Sequence, residues 1–132
     1  MTTSDLPAEG QPDVSNEGTE APFDDVITLS TSTSEAGVVT VTVVGEVDTF
    51  TAPVLRSTLD SQLEQQPREL VIDLSGVQFL GSAGLAVLVE TQKSSRAREV
   101  ALRLIATTRA VTRPLEVTGL IDLFTIADST AR

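Results

Sequence analysis

Apolar and polar positions alternate with the periods of strands and helices from about residue 25 onward. The segment 27–31 alternates with period two, which predicts an edge-type first strand. A turn is predicted at 35–37. The β-branched residues at every second position of 39–43 then predict a second strand, because such side chains pack well on a pleated surface.

The next segment has the period of a helix. Leu55, Leu59 and Leu63 recur every four residues and predict one buried helical face. Pro53 suits the first turn of this helix, where its missing N–H costs nothing, and Gln66-Pro67 is expected to end it.

A second unit follows, made of a strand and a helix. Residues 70–74 are almost continuously apolar, which predicts a central strand covered on both faces. A short loop shaped by Ser75 and Gly76 is predicted after it. Ser82 precedes another apolar run, and we therefore expect it to be the N-cap of a helix that continues to about Ala97.

The C-terminal third repeats this alternation. Residues 100–105 predict a strand, and a third helix is expected to end at Gly119, a natural left-handed C-cap. Pro114 fits best in the first turn of that helix, so the helix is expected to start late. A short last strand is predicted at 124–126. Strands alternating with helices predict an α/β fold: a mixed sheet of about four to five strands with three to four helices on one side.

Charge divides the 132-residue chain into two parts. The net charge is −10, but residues 1–25 hold seven acidic side chains and no basic one, which leaves about −3 on the remainder. We therefore expect a disordered acidic tail over 1–24 and one folded domain over 25–132. The acidic balance disfavours nucleic acids and anionic membranes as partners, because both require clusters of Lys and Arg.

Composition also excludes several kinds of chemistry. The chain contains no Cys and no His, so it has no disulfides, no thiolate nucleophile and no imidazole base or metal ligand. The only lysine, Lys93, is about three helical turns from Ser82. No Gly-Lys-Ser/Thr phosphate loop or Gly-x-Ser-x-Gly elbow occurs. We therefore expect no enzymatic activity, no metal and no cofactor, and the lack of Cys fits a cytoplasmic protein.

Several segments carry a pattern beyond their periodicity. They are Gly45-Glu46-Val47-Asp48 with 51–55 after it, Asp73-Leu74-Ser75 followed by 79–85, and 114–120 with Phe124. In this order they resemble the signature of STAS domains, specifically of bacterial anti-sigma factor antagonists, and the resemblance covers roughly residues 26–127. It implies the α/β architecture predicted above. The family normally continues into a further helix after this point, and we expect that helix to be missing or vestigial here.

The resemblance also assigns roles to residues. Ser82 aligns with the serine that an anti-sigma factor with serine kinase activity phosphorylates, and a serine phosphatase is the expected counterpart. Gly81 and Ala83 stand where the family has Asp and a second Ser. Gly81 is expected to keep the loop flexible and to permit positive φ, and Ala83 removes a competing acceptor.

Around this serine the resemblance predicts a partner-binding surface. Its residues are Asp48, Thr49, Gly81, Ser82, Ala83 and Gly84. The alternative for Asp48 is a turn residue whose side chain accepts hydrogen bonds from its own backbone. The alternative for Glu46 is a charge at the strand end that only faces solvent. Thr49 and Thr51 are alternatively surrogate phosphate acceptors or helix caps.

The implied function is that of an antagonist that binds the anti-sigma factor and releases a sigma factor until Ser82 is phosphorylated. The alternative is a STAS domain in a constitutive assembly, such as a transporter-associated subunit, that is not phosphorylated. A small-ligand or nucleotide sensor is a further possibility. The sequence leaves the oligomeric state open.

Overall fold

Strands and helices alternate along residues 27–127, the part of the chain that the computed structural model describes. The strands are β1 (Thr28–Thr33), β2 (Val38–Val47), β3 (Glu69–Leu80), β4 (Ala101–Ile105) and β5 (Thr125–Ala127). The helices are α1 (Ala52–Glu64), α2 (Ser82–Ala97) and α3 (Arg109–Val117), and a 3₁₀ turn spans Leu120–Leu123. The predicted tail at 1–24, the domain boundary at 25 and the segment after 127 lie outside the described residues.

The strands form one sheet in the order β1-β2-β3-β4-β5. β1 is antiparallel to β2, and the other neighbours are parallel. This mixed α/β architecture confirms the predicted fold class. Because the carboxyl ends of parallel strands meet at one edge of a sheet, the β2–α1 and β3–α2 connections lie side by side.

One core joins the sheet to the helices. The predicted Leu55–Leu59–Leu63 face of α1 is fully buried, and α1 packs against α2. The strands contribute alternate aliphatic side chains to the same cluster: Val39, Val41, Val43, Leu70, Ile72, Leu74, Leu102 and Leu104. Aliphatic side chains therefore provide nearly all of the burial, as the shortage of aromatic residues requires.

β3 is longer than the sequence indicates, because it continues through the segment predicted as a loop. Its pairing with β2 shifts twice, and at each shift β3 carries one extra residue. Leu74, Val77 and Leu80 consequently enter the core at a spacing of three instead of two. The loop-shaping role predicted for Ser75 and Gly76 is therefore wrong, since both lie inside the strand.

The start of α3 also differs from the prediction. The helix begins at Arg109, so Pro114 lies inside it and not in its first turn. Pro114 removes the bond that the Ala110 carbonyl would accept, but Val111 and Leu115 on either side of it are completely buried. Their packing offsets the lost hydrogen bond. The predicted end is confirmed, since Gly119 follows the C-cap with a left-handed φ of 76°.

Candidate functional site

The candidate site lies where the ends of β2 and β3 pass into α1 and α2. Val47 and Leu80 are partners in the last pair of the β2–β3 ladder. One residue further, the Gly81 N–H donates to the Val47 carbonyl at 2.9 Å. This bond ties the start of α2 to the residue that precedes Asp48, so the structure brings the predicted segments 48–49 and 81–83 together.

Ser82 is the first residue of α2, and its side chain is exposed. Gly81 occupies the N-cap position, and no side chain caps the helix. The prediction of Ser82 as the N-cap is therefore wrong by one residue. The displacement matters chemically, because a capping hydroxyl would accept backbone N–H groups, whereas the Ser82 hydroxyl is not used in this way. The unpaired N–H groups of the first turn remain available to an anion.

Gly81 does not use the conformational freedom of glycine. Its φ of −91° and ψ of −178° are extended values that any residue adopts, so the positive φ that glycine permits is not used here. What favours glycine is a neighbouring ring: a Cβ at this position would lie 3.0 Å from Cε2 and 3.2 Å from Cζ of Phe79. The Phe79 ring therefore rests against the backbone directly before Ser82.

The β2–α1 turn is organised by Asp48 and Thr51. One carboxylate oxygen of Asp48, Oδ1, accepts the N–H groups of Phe50 and Thr51, both at 3.0 Å. The Thr51 hydroxyl donates to the Glu46 carbonyl at 2.8 Å and accepts the Asp48 N–H at 2.9 Å. These bonds close the turn. The Oδ1 contacts of Asp48 are those of a turn residue that accepts bonds from its own backbone, and the Thr51 hydroxyl holds the turn together.

The turn also affects the charge of Asp48. The Thr51 backbone N–H, helped by the Thr51 hydroxyl and the Phe50 N–H, lowers the pKa of the Asp48 carboxyl below its ordinary value of 3.8. Asp48 is therefore anionic at neutral pH, close to the start of α2. The spacing Asp-x-x-Thr at 48–51 is the sequence signal for this network.

The remaining predicted contact residues differ in accessibility. Thr49 is exposed, and Gly81 and Ala83 are half-buried. Gly84 is buried, and a Cβ there would lie 2.6 Å from Cγ1 of Val47. Gly84 thus permits the close approach of α2 to β2, and it does not belong to the surface that a partner can touch.

A shallow apolar groove runs from Ser82 along α2. The side chains of Leu85, Ala86, Val89 and Leu120 line it, and Lys93 lies at its far end. Gln92 holds the 3₁₀ turn beside this groove, because its side-chain amide donates to the Leu123 carbonyl at 2.6 Å. No local pattern in the sequence indicates this tether, because donor and acceptor are 31 residues apart.

Within residues 27–127, no group of three or more acidic, His or Cys side chains is placed to hold a metal ion. In the same part of the chain, no helix combines the length and the apolar character needed to cross a membrane.

Comparison with known proteins identifies the family to which this architecture belongs. The family model described as "STAS domain" matches residues 23–132. The anti-sigma-F factor antagonist RsfB of Mycobacterium tuberculosis is 35% identical over 88 residues, which are 67% of this chain and 71% of the relative. The anti-sigma-B factor antagonist of Listeria monocytogenes is 37% identical over 84 residues, 64% of this chain and 74% of the relative.

A solved structure agrees with these relatives. The crystal structure of an anti-sigma factor antagonist from Mycobacterium paratuberculosis superimposes with a TM-score of 0.75 at 37% identity, covering 85% of this chain and 92% of the other. The sheet order, the motifs at the ends of β2 and β3, and the family match over most of the chain agree, and the chain belongs to the STAS domain family.

Proposed function

We propose that this protein is an anti-sigma factor antagonist that binds an anti-sigma factor with serine kinase activity and so releases a sigma factor. Phosphorylation of Ser82 by that kinase ends the complex, and a serine phosphatase restores it. The names of the relatives from Mycobacterium and Listeria support the class of partner. The observation that carries the switch is the exposed Ser82 hydroxyl, which heads α2 without serving as its cap.

The proposed step is a simple group transfer. The Ser82 Oγ attacks the γ-phosphorus of the kinase-bound ATP, the bond to the β-phosphate oxygen breaks, ADP leaves, and the hydroxyl proton passes to a base of the kinase. This chain supplies only the acceptor, so its role is regulatory. The half-buried Ala83 beside Ser82 offers no second hydroxyl.

The consequence of phosphorylation follows from charge. The phosphoryl group adds nearly two negative charges, which the N-terminus of α2 accommodates within this protein. At an interface that fits a neutral serine, the same charges must lose their water. We expect this to weaken the complex by about thirtyfold or more.

The test combines phosphate mapping with binding. The protein is incubated with ATP and each purified anti-sigma factor kinase encoded in the same genome, and the modified residue is located by mass spectrometry. Affinity is then measured for Ser82→Glu, which should lose binding, and for Ser82→Ala, which should bind like the wild type. Ser32→Glu is the matched control, because Ser32 is exposed on β1 and pairs with Thr40 near the opposite end of the sheet.

Phosphate on Ser82 alone, with binding lost only in Ser82→Glu, is the expected result. If no kinase modifies Ser82 and Ser82→Glu binds normally, the switch is refuted and an unphosphorylated STAS scaffold becomes the better description.

A further inference from the structure

Two exposed aromatic side chains lie on the chain segments that meet at the candidate site. Among the described residues, Phe50 is the most exposed large apolar side chain, with 87% of its surface accessible, and Phe79 is 50% accessible. Phe50 lies in the turn between β2 and α1, and Phe79 is the second-last residue of β3. Phe50 is therefore on one of the two connections that form the candidate site, and Phe79 is at the strand end that leads into the other. Large exposed aromatic side chains cost solubility and are typical of the anchors of protein interfaces.

The Phe79 ring is positioned by its contact with the backbone of Gly81. The ring lies against Gly81, whose extended conformation does not itself require glycine. A side chain at 81, such as the Asp of the family pattern, would shift the ring by a few tenths of an ångström. This chain thus has the Phe79 ring next to Ser82 without the carboxylate that the family pattern has at position 81.

The charged side chains closest in sequence to Phe50 and Phe79 are acidic. Glu46 is the ladder partner of Phe79 and is exposed, and the anionic Asp48 follows two residues later. No Lys or Arg occurs at 44–55 or at 75–92. Arg56, the next basic residue along the chain, is paired with Glu90 at 2.9 Å. The two segments that meet at the site therefore present aromatic and acidic side chains, and Lys93 lies only at the far end of the groove along α2. Such a surface complements a basic surface that contains an apolar pocket.

We propose that Phe50 and Phe79, here called the aromatic pair, are the apolar anchors of the complex with the anti-sigma factor kinase, and that the kinase meets them with apolar pockets bordered by Lys or Arg. This inference rests on the proposed function and specifies the chemistry of the partner surface. Glu46 and Asp48 steer the encounter, and the aromatic pair holds the complex once it has formed.

The experiment measures association and dissociation rates with the purified anti-sigma factor kinases used for the Ser82 test. Phe50→Ser and Phe79→Ala should each weaken binding by at least about tenfold, mainly through faster dissociation, at low and high salt alike. Asp48→Asn should instead slow association at low salt only, because salt screens exposed charges. Val117→Ser is the control, since Val117 is a 73% exposed apolar residue on α3.

Folding does not obscure the result, because Phe50 is so exposed that its replacement leaves the core intact. Gly81→Ala tests the position of the ring separately: it should weaken binding in the wild type but cause no further loss when combined with Phe79→Ala. The role of the aromatic pair as anchors is refuted if either variant binds within about threefold of the wild type while Ser82→Glu abolishes binding. The proposed function is unaffected by that result. If the wild type binds none of the kinases, the proposed function fails, and the anchors fail with it.

Discussion

Replacing Thr51 by valine tests whether one buried hydroxyl organises the turn beside Ser82. Valine keeps the shape of threonine but removes the hydroxyl that joins the Glu46 carbonyl to the Asp48 N–H, at 2.8 and 2.9 Å. Thr51 is only 5% exposed, so water has little access to replace it. Two backbone groups would lose their partner.

The magnitude follows from these two groups. An unsatisfied buried polar group costs about 1–3 kcal/mol, and the lower end applies because both bonds are only part-buried. We therefore expect Thr51→Val to lower the free energy of unfolding by about 2 kcal/mol, which corresponds to a fall in Tm of roughly 10 °C for a domain of this size.

Urea unfolding measures this loss directly, provided that the slope with denaturant stays the same in both proteins. Thr49→Val is the matched control, because Thr49 is an exposed threonine of the same turn, and its replacement should change stability by less than about 0.5 kcal/mol. A loss from Thr51→Val as small as that of the control would refute the role assigned to the hydroxyl.

Two further predictions concern the same region. Gly84→Ala should lower the free energy of unfolding in urea by about 3 kcal/mol, because the new Cβ would lie 2.6 Å from the fully buried Val47. Gly119→Ala should lower it by only about 1 kcal/mol, because a Cβ there meets no atom within 4 Å and the cost comes from the φ of 76° alone. Equal losses would contradict this account of Gly84. Because the turn lowers the pKa of Asp48 below 3.8, its ionised form stabilises the folded state above that value, and this contribution is lost as the pH falls through the lowered pKa. Unfolding of the wild type and of Asp48→Asn, measured from about pH 6 to pH 2, should therefore show a stability difference that is constant near neutrality and shrinks in acid; a difference independent of pH would refute it.

The order of strands and helices was predictable from the sequence, because burial imposes a period of two on a strand and a period near four on a helix. The buried Leu55–Leu59–Leu63 face and the alternating valines of β2 follow this rule, and both are observed. The start of α2 was predicted to within one residue for the same reason. The segments that meet at the candidate site were indicated by the resemblance to STAS domains, and the parallel pairing of β2 with β3 brings their ends together.

Three features depended on the tertiary structure. The continuation of β3 through Ser75 and Gly76 requires two register shifts, and register exists only between paired strands. The glycine at 81 is explained by the Phe79 ring resting on it, which no local pattern reveals. The Thr51 hydroxyl bridges the end of β2 and the start of α1 because the chain folds back on itself there. Local periodicity reports which side chains avoid water, whereas the contact between one segment and another is decided only when both are in place.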